Sequence, residues 1–531
     1  MKKNSFLKNV LMLLFSQAII KVIGIVYKLY LTNKTGYADT GNAIFSAAFQ
    51  VYAIFLTVCS IGIPNAIASL ISAKFAVGDN NGAYRVLKVS IAIFGTIGFI
   101  GSCALYFFSD AIAELYLEMP ETKLVLKVLA PSIFIVAIES VLKGYFNGKG
   151  KMDVTAKSLS IEQLAKTIIT IILVEILSYI SKESTIIMVC GVALTNGIGS
   201  IINVLYLYGN YLKSRREIWA DIITSKQYKK ERKRNIIKSI LKVSFPITIC
   251  ALIASINKTI DAFTIVKFTK TYLGETEAVR QYGILSGKVE SLIAMPFSFN
   301  MAIATTLIPT ISGYKARGDC AKAKSILKLS ILAGILIAIP CFIVLYLFPK
   351  QILQILFPNA SSGDMLLKFS SISIVIAVVI QTINSYLQGM NKMKIPIIII
   401  GISSCIKLIL NIILIQNSKI GIYGAIISNT VSYLITLAAL VIYLVTFEKI
   451  HFEMGTFLIK PTIIIITIGI VMKKIYKIHI LKIDLFNLLL TVCIGILVYI
   501  GMTVILKLVK KEEIKLITEK TVNIRPKNRR K

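Results

Sequence analysis

Uncharged apolar runs recur at 184–212, 291–314, 329–349, 369–391, 420–447 and 485–506, each near or above the ~20 residues that carry a helix across the hydrocarbon of a bilayer. A soluble core has no use for so many. With the shorter windows bounded by charged or Gly/Pro/Asn-rich turns, the pattern predicts about fourteen helices. They lie near 9–31, 43–71, 87–108, 124–146, 158–181, 185–212, 239–266, 282–311, 326–348, 366–389, 395–415, 420–447, 456–472 and 484–507. The expected fold class is an all-α polytopic membrane protein.

The chain also repeats itself. Ser72-Ala73-Lys74-Phe75-Ala76-Val77-Gly78-Asp79 is echoed by Ser312-Gly313-Tyr314-Lys315-Ala316-Arg317-Gly318-Asp319, and Val86-Leu87-Lys88-Val89-Ser90 by Ile326-Leu327-Lys328-Leu329-Ser330, both at a shift of 240. Tyr145-Phe146-Asn147-Gly148-Lys149-Gly150-Lys151-Met152 matches Tyr386-Leu387-Gln388-Gly389-Met390-Asn391-Lys392-Met393 at a shift of 241. Six helices separate the copies, an even number, so both run in the same orientation. This predicts two six-helix lobes related by a parallel pseudo-two-fold axis, followed by two extra C-terminal helices. The boundaries are 1–212 for the first lobe, 213–238 for a basic cytoplasmic linker, 239–447 for the second lobe, 448–507 for helices thirteen and fourteen, and 508–531 for a basic cytoplasmic tail. Such repeats commonly hold a substrate near the midplane between the halves, where rocking gives alternating access.

Composition agrees with a membrane class: the 531 residues are 56% hydrophobic with a mean hydropathy of +0.77, against ~45–50% apolar residues in soluble domains. The net charge of +34 raises nucleic acid as a partner. The lysines and arginines, however, gather in short stretches between the apolar runs, as cytoplasmic loops do, so no nucleic-acid partner is expected. The start, MKKNSFLKNVLMLLF, has the charged and apolar regions of a signal peptide. Lys21 and Lys28 follow it without a small-residue cleavage site, so it reads as a retained first helix.

With the N-terminus inside, the inner loops carry Lys74, Arg85 and Lys88, then Lys149, Lys151 and Lys157, then the 213–238 stretch, then Lys315, Arg317, Lys322 and Lys324. The outer loop 109–123 carries Asp110, Glu114, Glu118 and Glu121 against Lys123. This bias predicts a multi-pass protein of the cytoplasmic membrane with both termini cytoplasmic. The basic loop 473–482 runs against it, and Lys460 and Pro461 interrupt the helix before. The 213–238 and 508–531 stretches read as charge drawn to anionic leaflet lipids.

Enzymatic chemistry finds no constellation. The only histidines are His451 and His479, both expected in loops, and no Ser/His/Asp set, phosphate-cradling loop or Asp-rich metal site is present. The eight cysteines, at 59, 103, 190, 250, 320, 341, 405 and 493, lack metal or disulfide spacing and read as core packing. Neither a cofactor nor a metal is expected; membrane potential or a monovalent ion is the expected source of energy.

Charges inside the apolar windows are the stronger signal, because an ionisable group at a helix centre costs ~2.5–3.5 kcal/mol on insertion scales. Gln17, Lys21, Gly24 and Lys28 fall on one face of the first helix with no acid in that helix to neutralise them. Lys28 can also snorkel to the outer headgroups, which Lys21 cannot easily do. Glu139 with Lys143, Glu162 with Lys166, and Lys258 with Asp261 are opposite charges three or four positions apart and read as pairs on one helix face. Lys258 and Asp261 lie deep enough to remain cavity candidates. Lys288 and Glu290 are two positions apart and point to different faces, so at least one needs a partner in the bundle or a wet cavity. Lys407, with Asn411 one turn on, is a similar case.

Tyr282-Gly283-Ile284-Leu285-Ser286-Gly287-Lys288-Val289-Glu290, then Met295-Pro296 and Leu307-Ile308-Pro309-Thr310-Ile311-Ser312, resemble the eighth-helix signature of the stage V sporulation protein B group. Gly62-Ile63-Pro64-Asn65-Ala66-Ile67-Ala68 and the two Gly-Asp pieces are similar to that group and to its MurJ-like lipid II flippase relatives. The resemblance covers about 1–450. It implies a multidrug/oligosaccharidyl-lipid/polysaccharide exporter fold that moves an undecaprenyl-diphosphate-linked sugar from the inner to the outer leaflet. In lipid II flippases basic residues of helices one, two and eight line the central cavity; Lys21, Lys28 and Lys288 stand in for the first and last of these. The second helix departs from the pattern, having no Arg or Lys from 43 to 71.

The implied partners are an anionic lipid-linked sugar and membrane lipids, with the chain a monomer. A capsule or teichoic-type repeat-unit flippase would share these features. A cation-coupled drug exporter of the same fold would want buried carboxylates in the first lobe, and a non-transport scaffold for envelope assembly would need neither the repeat nor deep lysines.

Overall fold

The computed structural model describes residues 23–60, 62–214, 217, 219–220, 223, 231–478, 484–506 and 508. Among them no strand occurs, and helix accounts for nearly everything. The helices are 23–33 (α1), Ala38–Ser60 (α2), Gly62–Val77 (α3), Asn80–Phe107 (α4), Thr122–Gly148 (α5), Met152–Ile180 (α6), Thr185–Lys213 (α7), Lys233–Leu273 (α8), Glu275–Lys315 (α9), Cys320–Leu347 (α10), Asp364–Ser371 (α11), Ser373–Gly389 (α12), Lys394–Ile415 (α13), Tyr423–Thr446 (α14), Gly455–Ile478 (α15) and Asp484–Ile505 (α16). Eleven helices are long and apolar enough to cross a membrane, or up to twelve if α11 and α12, bent by 42°, form one span. The protein is a multi-pass membrane protein.

The expected count of fourteen is not reached among the described residues. The helix expected over 43–71 is described as Ala38–Ser60 and Gly62–Val77, with Ile61 between them outside the described residues. The basic segment 473–478, expected in a loop, continues α15 to Ile478. His451 is exposed; His479, the tail beyond 508 and most of 215–230 lie outside the described residues.

α13 explains itself as an inside-out helix. Ile398, Ile402, Ile409 and Ile413 are 56–60% exposed along one face, while Lys407 and Asn411 are buried on the other. Apolar side chains meet lipid and the ionisable group turns inward, which is the arrangement a bilayer selects.

The repeat is a structural fact at its landmarks. Asp79 accepts the Gly82 N–H at 2.9 Å to cap α4, and Asp319 accepts the Lys322 N–H at 3.1 Å to cap α10, each satisfying an otherwise orphaned donor. Each cap follows a glycine of positive φ, Gly78 at 82° and Gly318 at 73°. A Cβ on Gly148 would lie 2.9 Å from the Ala68 carbonyl oxygen and 2.9 Å from Ile71 Cβ; one on Gly389 would lie 2.9 Å from the Ile308 oxygen and 2.8 Å from Ile311 Cβ. Tyr145 and Tyr386 are both fully buried beside these contacts.

Two compact units can be delineated. The first comprises 1–291, 356–361 and 400–428; the second comprises 292–355, 362–399 and 429–531. The polar clusters described next belong to the first unit. In the second, Asn300 donates to Gln381 Oε1 at 2.8 Å and Thr382 Oγ1 at 3.2 Å, tying α9 to α12. Tyr499 donates to the Leu336 carbonyl at 2.7 Å, tying α16 to α10.

Candidate functional site

Lys288 lies on a π-helical turn, Ile284–Val289, inside α9. Such a turn re-aims the side chains that follow it and often marks functional positions. The lysine has no exposed surface; its Nζ is 2.8 Å from Asp39 Oδ1 at the start of α2 and donates to the Ala360 carbonyl at 2.6 Å. Glycine makes this approach possible: a Cβ on Gly283 would fall 1.9 Å from the Asp39 carbonyl oxygen, and one on Gly287 would fall 2.6 Å from Asn42 Cβ. Asn42, fully buried, accepts a hydrogen bond from Lys28 Nζ at 2.6 Å and donates to Thr32 Oγ1 at 3.0 Å.

A second buried cation is fixed between α13 and α8. Lys407 Nζ donates to Asp261 Oδ2 at 2.7 Å and to the Asn257 side-chain oxygen at 3.2 Å. Asn411, one turn on, donates to Asp261 Oδ1 at 3.0 Å and Thr264 Oγ1 at 2.9 Å, and Asn257 donates to Ser404 Oγ at 2.7 Å. This corrects the expected Lys258–Asp261 pair: Lys258 is exposed and Asp261 is held from another helix. Three positions along a helix allow a contact but do not compel one when a desolvated ammonium group competes for the same carboxylate.

Glu290, half-buried, lies within electrostatic reach of Asp261, Lys258, Lys407 and Lys28. Arg280 acts in the same way on Asp39 and Lys288. One field therefore joins five cations, Lys28, Lys258, Arg280, Lys288 and Lys407, to four carboxylates, Asp39, Asp261, Glu277 and Glu290; of the cations Lys258 and Arg280 are exposed, and Glu277 holds Arg280 at 2.8 Å. Gln17 and Lys21 lie outside the described residues. Asp39 and Arg280 were missed by the sequence reading; an acid in the first turn of a helix is a start signal that could have flagged Asp39. Lys288 and Lys407 are not free ammonium groups, because each is matched to a carboxylate.

Near the helix ends on Asp39's side, further bonds join residues of the two repeat copies. Glu118 is bound by Lys267 at 2.9 Å and by Lys270, and Tyr116 stacks on Phe263 with centroids 4.8 Å apart. Asn33 donates to the Leu356 carbonyl at 2.8 Å, and Asn359 Nδ2 donates to the Asn33 carbonyl at 2.8 Å. These contacts link the two copies at one end of the polar region.

A separate cluster lies among α5, α6 and α7. The expected Glu139–Lys143 pair forms, with Lys143 also 3.7 Å from Glu162. The expected Glu162–Lys166 pair does not: Lys166 binds Asn196 Oδ1, while Asn203 donates to both Glu139 and Glu162. Among the described residues no group of three or more His, Cys, Asp and Glu is placed to hold a metal ion.

Buried ion pairs inside a two-copy helical bundle define a membrane protein of a transporter fold. The comparisons agree. Over 97% of this chain and 100% of the other, the fold matches "Lipid II flippase MurJ, inward closed conformation" with a TM-score of 0.67 at 18% identity. It matches an inward-facing multidrug resistance MATE family transporter of the MOP superfamily with a TM-score of 0.66 at 15% identity, covering 83% of this chain and 99% of that one. Residues 6–315 match the family described as polysaccharide biosynthesis protein, and the chain belongs to that family; residues 235–413 also match the MatE family. Stage V sporulation protein B of Bacillus subtilis (strain 168) is 23% identical over 435 residues, 80% of each chain. Lipid II flippase MurJ of the same organism is 24% identical over 454 residues, 82% of this chain and 81% of the other.

Proposed function

We propose that this protein is a flippase that carries an undecaprenyl-diphosphate-linked oligosaccharide, lipid II or a similar cell-wall or spore-cortex precursor, across the cytoplasmic membrane by alternating access between two six-helix lobes. The observation that carries this reading is the set of three ammonium groups, Lys28, Lys288 and Lys407, drawn into the helical bundle and held there by Asn42, Asp39 and Asp261. A diphosphate head cannot cross hydrocarbon without replacing its hydration. Asp39 and Asp261 act as internal stand-ins, holding the ammonium groups until the anionic head displaces them. The prenyl tail stays in lipid throughout.

With both termini cytoplasmic, the linked end bearing Glu118, Lys267, Asn33 and Asn359 faces outward. The same topology makes Lys21 part of the cationic path from the inner side. The relatives' printed names, a lipid II flippase and a sporulation protein, are what point to an envelope precursor rather than a drug.

The test complements a strain lacking its peptidoglycan precursor flippase and measures lipid-linked sugar on the outer leaflet. Lys288→Gln combined with Asp39→Asn removes the charge without stranding its partner. The double variant is expected at normal protein level with at least a tenfold loss of outer-leaflet sugar. Undiminished flipping by that variant would overturn the cationic path.

A further inference from the structure

We propose that the Glu139–Glu162 pair is a proton-binding site, holding one proton between two carboxylates inside the membrane. The inference deepens the transport reading, since it assigns the monovalent ion and its place, but the site itself stands on geometry alone.

Glu139 on α5 and Glu162 on α6 each lie about ten residues, or ~15 Å, from the turn that joins their helices, so they meet at one depth. Glu139 is 3% exposed and Asn203, on α7, is fully buried. Asn203 Nδ2 donates to Glu139 Oε1 at 3.0 Å and to Glu162 Oε2, so a single amide bridges both acids. Lys143 touches Glu139 and stands 3.7 Å from Glu162. Two carboxylates thus share one ammonium in direct contact.

Two further atoms say that something is missing. Glu139 Oε2 and Asn203 Oδ1 are both buried without a hydrogen-bond partner. An ionised carboxylate with one oxygen undonated, away from water, is an unfavourable state, and two ionised carboxylates side by side compound it. One proton on the pair removes the surplus charge and supplies the missing donor. The surrounding charges are few. Lys143 on the same helix and Glu162 on α6 act on Glu139, and the Ser200 hydroxyl on α7 hydrogen-bonds its carboxylate. Lys166 acts on Glu162 from one turn away, but its Nζ is turned to Asn196 and to the Tyr27 ring at 6.0 Å. The charged residues of α2, α3 and α4, which also pack on α5, are Asp39, Lys74, Arg85 and Lys88, all toward the ends of those helices. Because the sites interact, the proton belongs to the pair and not to either residue.

Loss of that proton leaves Lys143 between two anions; its return lets Lys143 settle on one.

The experiment is infrared spectroscopy of the full chain in lipid vesicles, reading the C=O stretch of a protonated carboxylic acid at neutral pH. The wild type is expected to show it. Glu139→Gln and Glu162→Gln each leave one carboxylate for Lys143, and the pair's contribution is expected to vanish in both; Lys143→Met leaves two acids without that cation and should strengthen it. Glutamine is isosteric with the protonated acid, so both Gln variants should keep the wild-type unfolding temperature, which separates a lost proton from a lost fold. Absence of the band in folded wild type, or its undiminished survival in either Gln variant, overturns the shared proton. Flipping that fails while the band behaves as stated would instead count against the transport reading.

Discussion

Lys166 and Lys407 occupy matching positions on α6 and α13, 241 residues apart, and bind differently. Lys407 is 1% exposed and anchored to Asp261 on α8; Lys166 finds the neutral amide of Asn196 on α7. In the register of the repeat, 240 positions before Asp261 stands Lys21, which lies outside the described residues, so the sequence has no carboxylate at the matching position of the first copy. In the same way Glu139 and Glu162 of the first copy correspond to Ile380 and Ser403 of the second. The copies keep their turns and helix contacts and have diverged in buried charge. Close packing tolerates few changes at a glycine contact, whereas an ion pair can be exchanged for an apolar pair without moving a backbone.

The largest effect that would break this comparison is loss of the second copy's buried pair. Lys407→Met strands Asp261 and is expected to cost ~3–5 kcal/mol of stability, read as the unfolding midpoint in detergent. Lys166→Met strands no charge on Asn196 and should cost no more than about 1 kcal/mol. Adding Asp261→Leu to Lys407→Met should recover most of the loss, because a volume-matched apolar pair replaces a buried ion pair at little net cost. Equal effects of the two single substitutions would mean that the copies do not differ electrostatically.

How much of this was legible in the sequence follows the same division. Helices α4 to α10 and α13 to α16 could be located, and α11 with α12 as one run, because a ~20-residue apolar run has few other uses, and the repeat because Gly78 and Gly318, or Gly148 and Gly389, serve backbone requirements that leave little choice of residue. Partner assignments were legible only where both groups share a helix, as in Glu139 and Lys143. Asp261 is held by a lysine 146 positions away and Asp39 by one 249 away. A single sequence gives the face of a helix but not the neighbour that face meets. The π-turn that re-aims Lys288 leaves no mark in hydropathy at all.

A smaller effect sharpens the shared half of the comparison. Gly148→Ala and Gly389→Ala each place a methyl group 2.9 Å or closer to the facing helix. Overpacking of this kind costs ~1–3 kcal/mol, and because the contacts are alike, the two losses should agree within about 0.5 kcal/mol. A large loss at one glycine and none at the other would mean that the copies differ in packing as well as charge.

The smallest effect lies at the helix ends, where the copies differ once more. Asp110, in the short turn after α4, is paired with Lys127 at 2.9 Å and Lys123 at 3.0 Å, and the hydrogen bonds from these two lysines bring its carboxyl from the ordinary 3.8 down to about 2. The position 240 residues on is Lys350, so the second copy has no matching acid. A carboxyl depressed in the folded state stabilises above its unfolded value and loses that contribution as pH falls through its folded one. The stabilisation from Asp110 is therefore complete above about pH 4 and gone below about pH 2. It should be slight, since the group is exposed to solvent and its field is screened. Asp110→Asn is expected to flatten the part of the unfolding-temperature profile that lies in that acid window, while Lys350→Gln leaves it unchanged. A profile unaltered by Asp110→Asn would mean that the loop's acid pairs do not hold the first copy's end in solution.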